Sequence, residues 1–69
     1  MATEQLRRFI RLPQVQELTS LSRTEIYKRM KARTFPATVK LGPGHTVWVE
    51  SEVAEWVEAR IAEARGVAA

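Results

Sequence analysis

The 69-residue sequence predicts a small α+β fold, mainly α: a helix-turn-helix followed by a two-stranded hairpin and a C-terminal helix. Three observations predict it. A helix-capping signal separates two short helical segments at Ser22, two alternating apolar runs flank a Gly-Pro-Gly-His loop, and a helical apolar repeat ends at Gly66. We expect this domain at residues 8–65, between a flexible lead-in at residues 1–7 and a tail at residues 66–69.

The first elements are a short extended segment and a short helix. Residues 8–12 alternate partly between polar and apolar side chains, which predicts either a short strand or an extended arm. Pro13 suits the first position of a helix, where its missing N–H removes no hydrogen bond. We therefore expect a helix from Pro13 to Leu18, with Val15 and Leu18 facing the core and Leu21 filling the turn.

The second helix carries the strongest local signal. Ser22 can accept a hydrogen bond at the helix start, and Glu25 can accept one from the Ser22 backbone N–H, which is the capping-box pattern. The helix is expected from Arg23 to Lys31 or Ala32. Ile26 and Met30 are four residues apart and share its core-facing side.

The C-terminal half predicts a hairpin followed by a longer helix. Two runs of period two around the Gly-Pro-Gly-His loop predict a hairpin over residues 38–50. Ser51 is the expected N-cap of the last helix, because acidic residues follow it. The apolar residues at helical spacing are Val53, Trp56, Val57, Ile61 and Ala64. We expect Trp56 in the core, whereas Trp48 lies opposite its valine neighbours and its burial stays open.

Charge divides the chain into two parts. Residues 7–40 carry nine basic and two acidic side chains, a balance of +7, whereas residues 41–69 carry two basic and five acidic ones, a balance of −3. A basic part beside an acidic part is typical of a domain with one nucleic-acid-binding face. A solvated surface with uneven charge is the alternative.

Composition excludes several other classes. Without cysteine and with a single histidine, the chain has no disulfide or zinc-ligand pattern, and we expect no metal and no cofactor. No apolar run approaches the roughly 20 residues of a membrane span, and no signal peptide is visible, so we expect no membrane association. The sequence offers no nucleophile–base pair and no phosphate-binding loop, so we expect no enzyme.

Five segments together resemble the AlpA-type regulators of bacteria and prophages: R-L-P-Q-V at 11–15, L-S-R-T-E-I-Y-K-R-M at 21–30, F-P at 35–36, V-K-L-G at 39–42 and W-V-E-S-E-V-A-E-W-V at 48–57. That family has a winged-helix core similar to that of excisionases and the MerR group. The resemblance implies a protein that binds double-stranded DNA and regulates transcription or prophage recombination. The leading hypothesis is a sequence-specific transcriptional regulator, expected in the bacterial cytoplasm and associated with the nucleoid. It also implies that helix 22–32 enters the major groove and that hairpin 38–50 is the wing, although the wing tip here lacks the arginine such tips often carry.

The candidate DNA-binding residues lie on the second helix, the N-terminal arm and the hairpin. Arg23 can donate two parallel hydrogen bonds to a guanine, with a phosphate contact as the alternative. Tyr27 either contacts DNA or belongs to the core, and Arg7 and Arg8 either follow the DNA backbone or solubilise the terminus. The other candidates contact phosphates, sugars or base edges: Ser22, Thr24, Lys28, Lys31, Arg11, Lys40, His45 and Thr46.

Specific regulation by so small a domain predicts two or more copies, as a homodimer or a cooperative multimer on DNA. An integrase or the transcription machinery is the expected protein partner. The alternatives that use DNA are an excisionase-like architectural recombination factor and a terminase-type DNA-recognition domain. The alternative from another class is a protein-interaction adaptor that uses the acidic last helix.

Overall fold

The computed structural model describes residues 7–66. Its elements are β1 (Phe9–Ile10), α1 (Leu12–Thr19), α2 (Arg23–Lys31), β2 (Val39–Gly42), β3 (His45–Val49) and α3 (Glu50–Arg65). The order confirms the predicted α+β fold, mainly α, of a small winged helix-turn-helix. The expectations for residues 1–6 of the lead-in and 67–69 of the tail lie outside the described residues.

The three strands form one antiparallel sheet in the order β1-β3-β2. Phe9 pairs with Val49 in β3, so the segment that the sequence left open between strand and arm forms a short strand. On the other side, Lys40 pairs with Thr46. The pairing between β2 and β3 then shifts at Leu41, which is 55% exposed, and this irregularity ends the predicted alternation of the hairpin.

The core lies between the sheet and the helices. Its buried members are Ile10, Val15, Ile26, Phe35, Trp48 and Val53, and Leu12, Leu21, Met30 and Trp56 pack around them. Trp48 is only 1% exposed and therefore belongs to the core, whereas the alternation of residues 46–50 had left its burial open. Val47 and Val49 are also buried, so both faces of the central strand β3 are covered.

The first helix differs from its prediction at one core position. It begins at Leu12, and Leu18, expected to face the core, is 45% exposed. Successive residues of an α-helix are rotated by about 100° around its axis. Leu12 and Thr19 therefore lie on the same side of Val15, whereas Leu18 lies on the other side. The buried arc of α1 therefore runs through Leu12, Val15 and Thr19 and leaves Leu18 at its edge.

The last helix corrects two expectations. Its N-cap residue is Val49, not Ser51, because β3 continues directly into α3. The Glu50 N–H donates to the carbonyl of Arg8, the residue before β1, at 2.7 Å. Gly66, in the left-handed conformation, ends the helix as predicted. Ile61 and Ala64 are exposed, since α3 is about 24 Å long and its neighbour α1 only about 12 Å.

Candidate nucleic-acid interface

Helix α2 starts at the predicted capping box. The Glu25 backbone N–H donates to Ser22 Oγ at 3.1 Å, and the Ser22 backbone N–H donates to Glu25 Oε1 at 2.9 Å. These hydrogen bonds with Ser22 lower the pKa of the Glu25 carboxyl below its ordinary value. The one acidic side chain of α2 is thus occupied at the helix start.

The exposed side of α2 forms a shallow groove, here called the α2 groove. Five of the ten predicted DNA-binding residues line it: Arg23, Thr24, Tyr27, Lys28 and Lys31. The opposite side of the helix holds Ile26, which is fully buried, and Met30, which is half-buried. The helical period therefore brings together three cations and two hydroxyl side chains, and no acidic residue of the described chain lines the groove.

Two aromatic residues connect the α2 groove to the core. The Arg23 Cζ lies 5.6 Å from the centre of the Tyr27 ring, over its face. Tyr27 in turn meets Trp48 edge to face, with ring centres 6.2 Å apart and planes at 65°. Tyr27 is 37% exposed: it contacts the core residue Trp48 and also lines the α2 groove, and its contact with DNA stays a prediction.

The other predicted residues lie outside the α2 groove. Ser22 is exposed just before α2, and its hydroxyl serves the cap. Arg11, the N-cap residue of α1, has its Nη2 3.5 Å from His45 Nδ1, so the start of α1 meets the tip of the hairpin. Lys40 is exposed and Thr46 half-buried, opposite each other in the hairpin. These four residues therefore form two separate pairs, Arg11 with His45 and Lys40 with Thr46.

Arg8 has a contact that sequence reasoning missed. Its Nε and Nη2 donate to the two carboxylate oxygens of Glu50 at 2.9 and 2.6 Å. The pair raises the pKa of Arg8 and lowers the pKa of the Glu50 carboxyl. Because 42 positions separate the two residues, no local spacing could have revealed this pair, which ties β1 to the start of α3.

A second surface groove lies between the loop after α2 and the helix α3. Trp56 Nε1 donates to the Thr34 carbonyl at 2.7 Å, and the Trp56 ring meets Phe35 edge to face at 4.8 Å. This indole therefore packs at the rim of the core rather than inside it, half-buried. The groove is lined by charges of both signs, Arg33 and Arg60 with Glu52 and Glu55, and it lacks the single-sign character of the α2 groove.

Within residues 7–66, no three histidine or acidic side chains are grouped to hold a metal ion. None of the helices described there combines the length and the apolar character needed to cross a membrane.

The fold and the α2 groove define a small winged helix-turn-helix protein with one concentrated basic helix face. Residues 8–61 match the family described as "Prophage CP4-57 regulatory protein (AlpA)", and the chain belongs to this family of regulatory proteins. The resemblance inferred from the sequence is therefore confirmed.

A curated relative supports the same placement. The chain is 44% identical over 55 residues to "Uncharacterized protein ORF88" of Enterobacteria phage P4. The match covers 80% of this chain and 62% of the relative, so the chain spans less than two thirds of that protein's length. No solved structure matches the chain.

Proposed function

We propose that the protein is a sequence-specific transcriptional regulator that binds double-stranded DNA through α2, inserted into the major groove, with hairpin 38–50 as the wing. Its family supplies the regulatory, phage-associated role. The observation that carries the DNA-binding part is the α2 groove, where three cations and two hydroxyl groups face outward along one capped helix. In helix-turn-helix proteins, the N-terminal residues of the second helix contact base edges.

Each side chain has a proposed role. Arg23 and Thr24, in the first turn of α2, contact base edges, while Lys28 and Lys31 contact phosphates on the same face. The arm and hairpin residues contact the DNA backbone beside the groove: Arg11, Lys40, His45 and Thr46. The Ser22 hydroxyl accepts the Glu25 N–H in the cap, and its own O–H stays available to donate to a phosphate.

Salt dependence tests the electrostatic part of this proposal. Five cations, namely Arg11, Arg23, Lys28, Lys31 and Lys40, are proposed to contact DNA. With Arg23 at a base edge and the other four at phosphates, the log–log slope of affinity against salt should be about −3.6, from about −0.9 per phosphate contact. We expect Lys28→Ala to make the slope shallower by about one unit. Arg65→Ala, which removes the same charge from the last turn of α3, should leave the slope unchanged.

The decisive experiment starts from a duplex selected out of random DNA by the wild-type chain. Arg23→Ala combined with Lys28→Ala should abolish retention of this duplex, and circular dichroism should show that the double variant remains folded. Unchanged retention would contradict the assignment of α2 as the DNA-binding helix. A wild-type chain that selects no duplex would favour the adaptor alternative, in which α3 docks a protein partner.

The architectural alternative uses the same groove and differs in what happens to the DNA. A regulator that only reads its site should bend it little, whereas an excisionase-like factor should bend it strongly. Gel mobility of duplexes with the site at the centre or at the end separates the two. A single module of this kind buries about 600–1,000 Å², so we propose that two or more copies bind together, which band-shift stoichiometry measures.

A further inference from the structure

We infer that Tyr27 is a positioning residue that holds the Arg23 guanidinium ready to recognise a guanine, so that the contacts from Arg23 through Tyr27 to Trp48 set the base specificity of the α2 groove. This inference rests on the proposed function, because it concerns how the same groove selects its DNA. It assigns Tyr27 a role other than a phosphate contact or a core residue.

The first step is geometric. Arg23 and Tyr27 are four residues apart on α2, on the same face, and the guanidinium lies over the ring at 5.6 Å. Tyr27 is held from behind by Trp48, which is 1% exposed and belongs to the core. An otherwise mobile arginine is thereby attached to a rigid part of the fold.

The second step concerns the hydrogen-bond donors. The N–H groups of a guanidinium lie in its own plane, and the position of Arg23 Cζ over the Tyr27 ring leaves them available to a guanine O6 and N7. Arg60 is an internal comparison. It lies over the Trp56 ring at 5.3 Å, but its Nη2 donates to Glu63 at 2.6 Å. Within residues 7–66, Arg8 and Arg60 form ion pairs, whereas Arg23 forms none.

The third step concerns the cost of binding. A free arginine side chain loses rotamer freedom when it forms a bidentate contact, and this loss weakens binding. A side chain already held over Tyr27 has lost part of that freedom in the unbound protein. Tyr27 should therefore favour the base that needs the oriented fork, guanine, over bases that do not.

The test measures base preference in four variants of the full chain. The wild type selects a duplex from random DNA, and Arg23→Ala identifies the base pair whose preference depends on Arg23. At that position, Arg23→Lys, which keeps the charge but lacks the planar fork, should lose the preference for guanine, about 5- to 150-fold. Tyr27→Phe keeps the aromatic ring and should retain the preference for guanine. Tyr27→Leu should lower the preference about two- to fivefold, with the salt slope unchanged.

A second measurement detects the contact between Arg23 and the Tyr27 ring in the absence of DNA. In the wild type and in Tyr27→Phe, the ring current should shift the Arg23 side-chain proton resonances upfield, and in Tyr27→Leu this shift should disappear. Wild-type resonances at their ordinary positions would overturn the inference even if Tyr27→Leu failed to fold.

The remaining outcomes separate this inference from the proposed function. A guanine preference that Tyr27→Leu leaves intact overturns the inference and leaves the DNA-binding proposal standing. Equal losses in Tyr27→Phe and Tyr27→Leu also overturn it, because they assign the effect to the hydroxyl. The wild type could bind all duplexes equally, or its selected site could have no position that depends on Arg23. Either result would contradict both the base-specific role of Arg23 and this inference. A salt slope near zero removes the DNA-binding proposal itself.

Discussion

The capping box at Ser22 gives a quantitative prediction about stability. Ser22→Ala removes the oxygen that accepts the Glu25 N–H at 3.1 Å, while the reciprocal bond from the backbone N–H of residue 22 to the Glu25 carboxylate can remain. Loss of a serine N-cap lowers the free energy of unfolding by about 1 kcal/mol. For a domain of this length, that corresponds to a fall in Tm of about 4–8 °C.

A matched control comes from the serine that the sequence also predicted to be a cap. Ser51 lies inside the first turn of α3, after the N-cap Val49. We expect Ser51→Ala to stay within about 0.5 kcal/mol of the wild type. Thermal and urea unfolding at neutral pH, followed by far-ultraviolet circular dichroism, measures both variants. Equal losses at the two serines, or no loss in Ser22→Ala, would refute the assignment of the caps.

Three further predictions concern pH, packing and backbone conformation. The pKa of the Glu25 carboxyl is lowered from 4.5 in the folded state, so its stabilisation is present above about pH 4.5 and is lost as the pH falls further. Acid titration of stability should therefore be less steep for Glu25→Gln than for the wild type, and parallel curves would contradict this. Val53→Ala should lower the free energy of unfolding in urea by about 2–3 kcal/mol, because Val53 is fully buried, whereas Ile61→Ala at a 38% exposed site should lose less. Gly44→Ala should lower the free energy of unfolding by about 1–2 kcal/mol, because Gly44 has a φ of +75°. Gly42 has no positive φ, so Gly42→Ala should lower this free energy less in the same measurement.

Helix α2 was predictable because its determinants are local. The cap joins residues three apart, Ser22 and Glu25, and the core side joins residues four apart, Ile26 and Met30. The five residues of the α2 groove follow from the same helical period, so most of the candidate site follows from sequence alone.

The start of α3 was not predictable from local signals. Ser51 followed by acidic residues has the pattern of an N-cap, but the pairing of β3 with β1 holds the chain in strand conformation through Val49. The burial of Trp48 has a similar origin, because its face of β3 is covered by elements that come earlier in the chain. The Arg8–Glu50 pair likewise depends on residues 42 positions apart.

The placement of the carboxylates explains why the α2 groove keeps its positive charge. Both ion pairs within residues 7–66, Arg8–Glu50 and Arg60–Glu63, use acidic side chains of α3. Glu25, the acidic residue of α2, is held by Ser22 at the helix start and does not line the groove. The acidic C-terminal part thus neutralises arginines elsewhere, while Lys28 and Lys31 remain beside Arg23. Because like charges gathered on one face repel one another, an anionic partner along this face relieves the repulsion as it binds, and this favours a polyanion over a neutral ligand.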